Sequence, residues 1–184
     1  MGNVTLVTYD MMCSMDWRKK ADFMKKSYIT KAHRIMEILS WILIAVSFGI
    51  AIYGMNVLPS EIAIHFNARG VADNYGSPAA LLILPVVMAV CLGFMSLIAH
   101  FVDPSVGFNM PFVIREENKG NVYRCMMTIL FLLELEIGVY TIVLEIQSFG
   151  QQGKSMGVFL VVFLAVVAVT VIEGCVKAWK YNKE

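Results

Sequence analysis

Three polar side chains in the segment LPSEIAIHFNARGVADNYGSP (58–78), His65, Asn67 and Asp73, are of types that bind cations, pass protons or hold ligands. With Phe66 and Arg69 beside them they would shape a recognition loop. A metal site needs about four ligands at set spacing. Here only His65 and Asp73 are at hand, with Glu61 or Glu145 brought across, and the metal question stays open. The simpler reading is that His65 and Asp73 hydrogen-bond each other or the turn backbone and hold the loop shut. A second set of ionisable residues lies in or beside apolar sequence: Glu37, His100, Glu134, Glu136, Glu145 and Glu173. Ionisable groups inside a membrane are costly, so each is a functional hypothesis by default.

Depth sorts that second set. Glu173 stands four residues before Lys177, the favourable order for a helical ion pair. Glu37 is near Arg34 and Lys31 in sequence, and His100 ends its apolar run, where a cation suits the helix dipole. Glu134 and Glu136 are placed near the middle of the third apolar run and Glu145 near its far end. Eleven residues make close to three helical turns, so Glu134, Gly138, Thr141 and Glu145 share one face. Glu136 points about 160° away from Glu134 at about 100° per residue. Each midplane glutamate is read either as a neutral or hydrogen-bonded group that sets helix register, or as a cavity or ion site. Glu136 leans to the first reading, and it could also face a neighbouring protomer.

The elements that must position these groups are set by run length. The chain has 184 residues, 58% hydrophobic and 16% charged. The charged share is well below the roughly 25% of an average soluble domain. Residues 38–58, 79–99 and 156–172 carry no charge, and 122–146 is broken only by Arg124 and three glutamates. Spanning a hydrocarbon core of about 30 Å takes about 20 helical residues. A soluble bundle would keep a charged face on every helix, and 79–99 has none. The expected fold is an all-α membrane protein with four transmembrane helices, at about 36–58, 79–102, 122–147 and 156–178. A short extracellular hairpin-like loop joins helices one and two. A cytoplasmic basic segment (1–35), read as positive-inside flanking sequence or as an amphipathic helix at the membrane surface, precedes them, and a cytoplasmic tail (179–184) follows. No cleavage-site pattern is seen before the first span, which is expected to stay as an uncleaved anchor.

Lys and Arg alternate along the chain. They number seven in 1–35, one (Arg69) in 59–78, three in 103–124, one (Lys154) in 148–155 and three in the tail. Positively charged short loops stay cytoplasmic, so both termini are expected inside and the His65 loop outside. Cys13, Cys91, Cys125 and Cys175 show no metal or disulfide spacing and are read as free thiols. Small residues mark expected helix contacts: Ser47, Ala51 and Gly54 on the first span, Ala89 and Gly93 on the second, Ala165, Ala168 and Ala178 on the fourth. Within the loop, Ile62, Ile64 and Phe66 alternate with Ala63, His65 and Asn67, the pattern of a half-buried strand. Asn67-Ala68-Arg69-Gly70 reads as a turn.

The loop resembles the signature of a bacterial domain of unknown function found at the N-terminus of SdpI-like proteins, approximately LPxxIPxHFNxxGxxDxxGSK. The residues carrying the likeness are Leu58-Pro59, Ile62, His65-Phe66-Asn67, Gly70, Asp73 and Gly76-Ser77. Pro85 and the stretch PFVIREENKGNVYR (111–124) resemble later parts of the same family. Ala63 replaces a family proline, and Pro78 the closing lysine. The resemblance implies a multi-pass protein of the bacterial cytoplasmic membrane with an external HFN-type loop. SdpI-like proteins include one that gives immunity to a secreted killing peptide and tethers a repressor. Many carry further spans after this domain, so repressor tethering is not carried over.

Three functions follow. The first is a binding protein, an immunity or sensor component engaging a peptide, lipid or envelope partner through His65, Phe66, Asn67, Arg69 and Asp73, with Glu134 and Glu145 lining the cleft. The second is a small transporter or accessory subunit in which Glu134 carries a proton or cation; with only four spans this would need a homodimer. The third, an enzyme using His65 and Asp73, lacks nucleophile–base spacing. No cofactor is called for, the lipid bilayer is the one partner expected in every case, and nothing points to nucleic acid.

Overall fold

A computed structural model describes residues 28–67, 69–102, 104, 110, 112–150 and 153–183, with side chains from 156 onward in the last segment. Helix α1 (Lys31–Val57) leads to strands β1 (Ile62–Phe66) and β2 (Ala72–Gly76). A 3₁₀ turn (Pro78–Leu82) then runs into α2 (Ile83–Phe101), and a second (Glu116–Asn118) into α3 (Lys119–Phe149), followed by α4 (Gly153–Lys183). Four helical segments are long and apolar enough to cross a membrane. Large apolar side chains cover the outside, Val90 and Val161 being 68% and 67% exposed. A water-soluble monomer rarely carries so continuous an apolar surface. The fold is an all-α, four-helix membrane protein with a β-hairpin between the first two helices.

Local chemistry sets the helix ends. The Thr30 side chain accepts from the His33 backbone N–H at 3.3 Å, and His33 Nδ1 accepts from the Thr30 N–H at 3.2 Å. This is a reciprocal cap with His in the place usually held by Glu or Gln. Because Nδ1 accepts, a neutral ring carries its proton on Nε2, which lies 2.9 Å from Thr128 Oγ1 on α3. Thr128 in turn donates to the Arg124 carbonyl at 3.0 Å, so the cap of α1 is tied to α3. At the far end of α1 the Leu58 N–H returns to Gly54 O, and Pro59 follows. Ser77 caps the turn into α2, with Pro78 at its first position, where a missing N–H does no harm.

Helix α3 is the centre of the bundle, with α1 and α4 making its largest interfaces. Its stripe Glu134, Gly138, Thr141 and Glu145, on one face by helical spacing, is buried. Opposite it stands the buried face of α1: His33, Ser40, Ile44, Ser47, Ala51 and Gly54. A core of Tyr28, Val122, Tyr123, Met126, Met127, Phe131, Ala99 and Ala178 fills the end where α1 begins. Asn182 clasps that end: its Oδ1 accepts from the Arg115 N–H and its Nδ2 donates to the Val113 carbonyl. At the other end Ala51, Ile62 and Leu81 seat the hairpin on α1 and the turn into α2.

Several local expectations give way. On α4, Ala165 and Ala168 are exposed, and Gly174 and Ala178 make the buried contact. A Cβ on Gly174 would stand 2.2 Å from Ile129 Cγ1, so any larger residue there would force the Ile129 side chain to move. Ala89 and Gly93 on α2 are only half-buried. Strand alternation fails too: Ile62 and Ala63 are both buried, and Ile64 and His65 both exposed. The pairing skips Ile64, passing from Ala63↔Tyr75 to His65↔Asn74. A bulge of this kind inserts a residue and shifts the faces of those beyond it. Glu37 binds across to α2: His100 Nε2 lies 3.0 Å from both its oxygens. The Glu173–Lys177 pair forms at 2.7 Å. Most of the basic 1–35 segment, and Cys13 with it, lies outside the described residues.

Candidate functional site

The hairpin is held by its own polar residues. Asn67 Oδ1 accepts from the backbone N–H groups of Arg69 and Val71, at 2.9 and 3.1 Å. The Asn67 N–H donates to Val71 O, and the Gly70 N–H to Asn67 O. Gly70 takes φ 71°, a left-handed conformation that glycine adopts without steric cost. The bulge brings His65 and Asp73 together across the strands, with Nδ1 2.5 Å from Oδ1. Both side chains stay largely in solvent, 64% and 42% exposed. At Gly76 a Cβ would come within 2.8 Å of Ile64 Cδ1, so Ile64 lies across the strand where a larger residue would block it. Asn67 thus spends its carbonyl on the loop, while the ring face and Nε2 of His65 remain at the surface.

Beneath the hairpin is a cleft of about 700 Å³, within the roughly 300–1,000 Å³ of ligand pockets. His65, Phe66, Asn67 and Arg69 form its roof and lip. Ile83, Leu84 and Val87 of α2, Tyr140 and Leu144 of α3 and Leu160 of α4 give apolar walls. Tyr140 stacks on Phe163 of α4 with centroids 4.1 Å apart, which fixes that wall. Ser148 and Glu145 complete the α3 side. Asp73 reaches the cleft only through His65.

Glu145 is the unusual member. It is fully buried, and neither carboxyl oxygen has a hydrogen-bond partner. Ser47 of α1 faces it, and the Ser47 hydroxyl makes no well-formed hydrogen bond either. A buried polar group without a partner costs about 1–3 kcal/mol, and more if charged.

Glu134 is not brought into this cleft. It lies about 16 Å from Glu145 along α3 at 1.5 Å per residue. There Ser96 of α2 donates to Oε1 at 3.5 Å, and Oε2 has no partner. Glu136 faces α4, where the Thr170 hydroxyl donates to it. Among the described residues, no three His, Cys, Asp or Glu side chains gather in a way that could hold a metal ion.

Two features escaped the reading of the sequence. His33 was given no role from the sequence, although the Thr30-x-x-His33 spacing is that of a reciprocal cap. The Glu37–His100 pair was split between local explanations, although the start of α1 and the end of α2 lie at the same end of the bundle. No curated protein and no solved structure matches the chain. Residues 42–89, from the middle of α1 through the hairpin into α2, match the family model of a domain of unknown function (DUF1648).

Proposed function

We propose that this chain is a membrane binding protein, an immunity or sensor component of the SdpI-like kind. It takes a peptide with apolar side chains and a hydrogen-bond-donating or cationic group into the cleft beneath the hairpin. The observation that carries this reading is the apolar cleft with the unpaired Glu145 carboxyl in its wall. Its polar ends are complementary to such a ligand: Arg69 at the lip suits a carboxylate or carbonyl, and Glu145 suits a donor. The loop's resemblance to SdpI-like proteins and the match of 42–89 to DUF1648 support it. The Lys and Arg alternation supports a hairpin outside a bacterial cytoplasmic membrane and termini within.

The test is substitution of His65 and of Asp73 by Ala in cells exposed to the cognate peptide. Each is expected to remove protection, because each loses the strap across the hairpin that shapes the cleft roof. Membrane insertion and yield are expected to stay at wild-type level, since both side chains are solvent-exposed. Full protection by both variants would defeat the proposal.

A second reading is favoured by a separate observation. Glu134 is buried with Oε2 unpaired, and the Glu37–His100 pair joins α1 to α2 toward one end of the bundle. Together with Ser96 these groups supply proton-carrying side chains from mid-bundle toward that end, as a proton or cation pathway requires. In proteoliposomes, Glu134→Gln would then abolish ion flux while leaving insertion intact. Flux equal to wild type removes this reading.

A further inference from the structure

A second groove lies between α3 and α4, at the end away from the hairpin. It encloses about 420 Å³ and runs from Asn121 to Leu132 on α3 and from Thr170 to Tyr181 on α4. Each wall is roughly 16 Å long at 1.5 Å per residue. Its polarity changes along that length. Arg124, Lys177, Asn121 and Tyr181 stand at one end, and Ile129 and Leu132 toward the other.

Most of the polar groups between these ends are already engaged. The Thr128 hydroxyl is tied to the Arg124 carbonyl and His33, and the Thr170 hydroxyl to Glu136. The Cys125 thiol donates to the Gly174 carbonyl at 3.4 Å. Lys177 is paired with Glu173 at 2.7 Å and keeps further N–H donors free. The Arg124 guanidinium has no hydrogen-bond or ion-pair partner among the described residues. Among the described residues one positive charge is therefore left uncompensated, with a planar fork of donors that suits a phosphate.

Depth places that charge at the lipid headgroups. Helices α3 and α4 each have 31 residues, about 46 Å at 1.5 Å per residue, against a hydrocarbon core of about 30 Å. Each end therefore reaches roughly 8 Å beyond the hydrocarbon if the overhang is shared. Arg124 is five residues from the start of α3 and Lys177 six from the end of α4. That puts both within about 7–9 Å of the helix ends, at the boundary between headgroup and chain. Basic pockets between spanning helices are known sites for anionic headgroups.

We infer that this groove holds an anionic phospholipid, with its phosphate on Arg124 and Lys177 and one acyl chain along Ile129 and Leu132. The ligand is independent of the cleft beneath the hairpin. Native mass spectrometry of the full chain, titrated with phosphatidylglycerol, phosphatidylcholine or inorganic phosphate, tests it. Phosphatidylglycerol is expected to bind more tightly than phosphatidylcholine and to resist displacement by millimolar phosphate. Arg124→Gln is expected to weaken it roughly tenfold, the loss of one charge-assisted contact. Arg124→Lys should keep most of the affinity, since it restores the charge. Arg124 is exposed and its backbone carbonyl bond to Thr128 survives substitution, so an unchanged melting temperature is the control. Equal binding of both lipids, unchanged binding in Arg124→Gln, or displacement by phosphate alone would each overturn the assignment.

Discussion

Gly138→Leu is expected to separate α1 from α3 and to destroy the folded bundle's cleft. A Cβ at position 138 would already stand 3.0 Å from Leu43 Cδ1 and 3.4 Å from the Ser40 carbonyl of α1. Leu43 can swing away, but the Ser40 carbonyl belongs to the helix backbone and cannot. Alanine should therefore be tolerated with a small loss. The further three carbons of leucine have no space except by moving α1. Overpacking a tight contact costs about 1–3 kcal/mol and occasionally more, and this contact is at the middle of one of the two largest interfaces. The consequence extends to the hairpin, because Ile62 is seated on Ala51 of α1 while Tyr140 and Glu145 belong to α3. Moving one helix pulls the roof from the wall. Thermal unfolding in detergent micelles should show a clear drop for Gly138→Leu, a slight one for Gly138→Ala, and loss of ligand binding in the leucine variant alone. A leucine variant that melts with the wild type would show that the α1–α3 seam is not as close as described.

Glu145→Met should act in opposite directions on stability and on binding. The wild-type carboxyl is buried with both oxygens unpaired. Methionine has a similar length and no oxygen to leave unsatisfied. Relieving an unpaired buried polar group is worth about 1–3 kcal/mol, and replacing buried charge by apolar volume is often stabilising. The melting temperature should rise by several degrees. The same substitution removes the group proposed to meet a ligand donor, so affinity should fall at least tenfold, the value of about 1.4 kcal/mol. Calorimetric or fluorescence titration beside thermal unfolding reads both quantities on one preparation. Residues kept for packing lose stability when truncated; a binding residue of this kind gains it. A variant that is both less stable and fully able to bind would assign Glu145 to the bundle's architecture.

How far the sequence could be read depends on the range of the interactions concerned. The helices follow from uncharged runs of bilayer length, which is a local property of the chain. The face shared by Glu134, Gly138, Thr141 and Glu145 follows from helical geometry, and the Ser47, Ala51 and Gly54 face follows likewise. Both are buried against each other in the bundle. The turn at Asn67 to Gly70 was legible because Asn and Gly act through their own backbone neighbours. Strand alternation was not, since a bulge is settled by pairing with the opposite strand and by the seat of Ile62 and Ala63 on the helices.

Run length, helical periodicity and turn chemistry, all contained within a few residues of chain, determined by themselves that this protein has four spans, a hairpin between the first two and a polar stripe on the third. Tertiary structure alone decided which groups meet. It set Glu145 in a cleft wall and Glu134 beside Ser96, joined Glu37 to His100, and buried Gly174 where Ala165 and Ala168 were expected. Contacts between helices depend on the rotation and depth of both partners, and neither is written in the spacing of one helix. In a bilayer, where lipid satisfies apolar faces as well as a neighbouring helix does, small residues and polar groups choose those rotations only when the whole bundle closes.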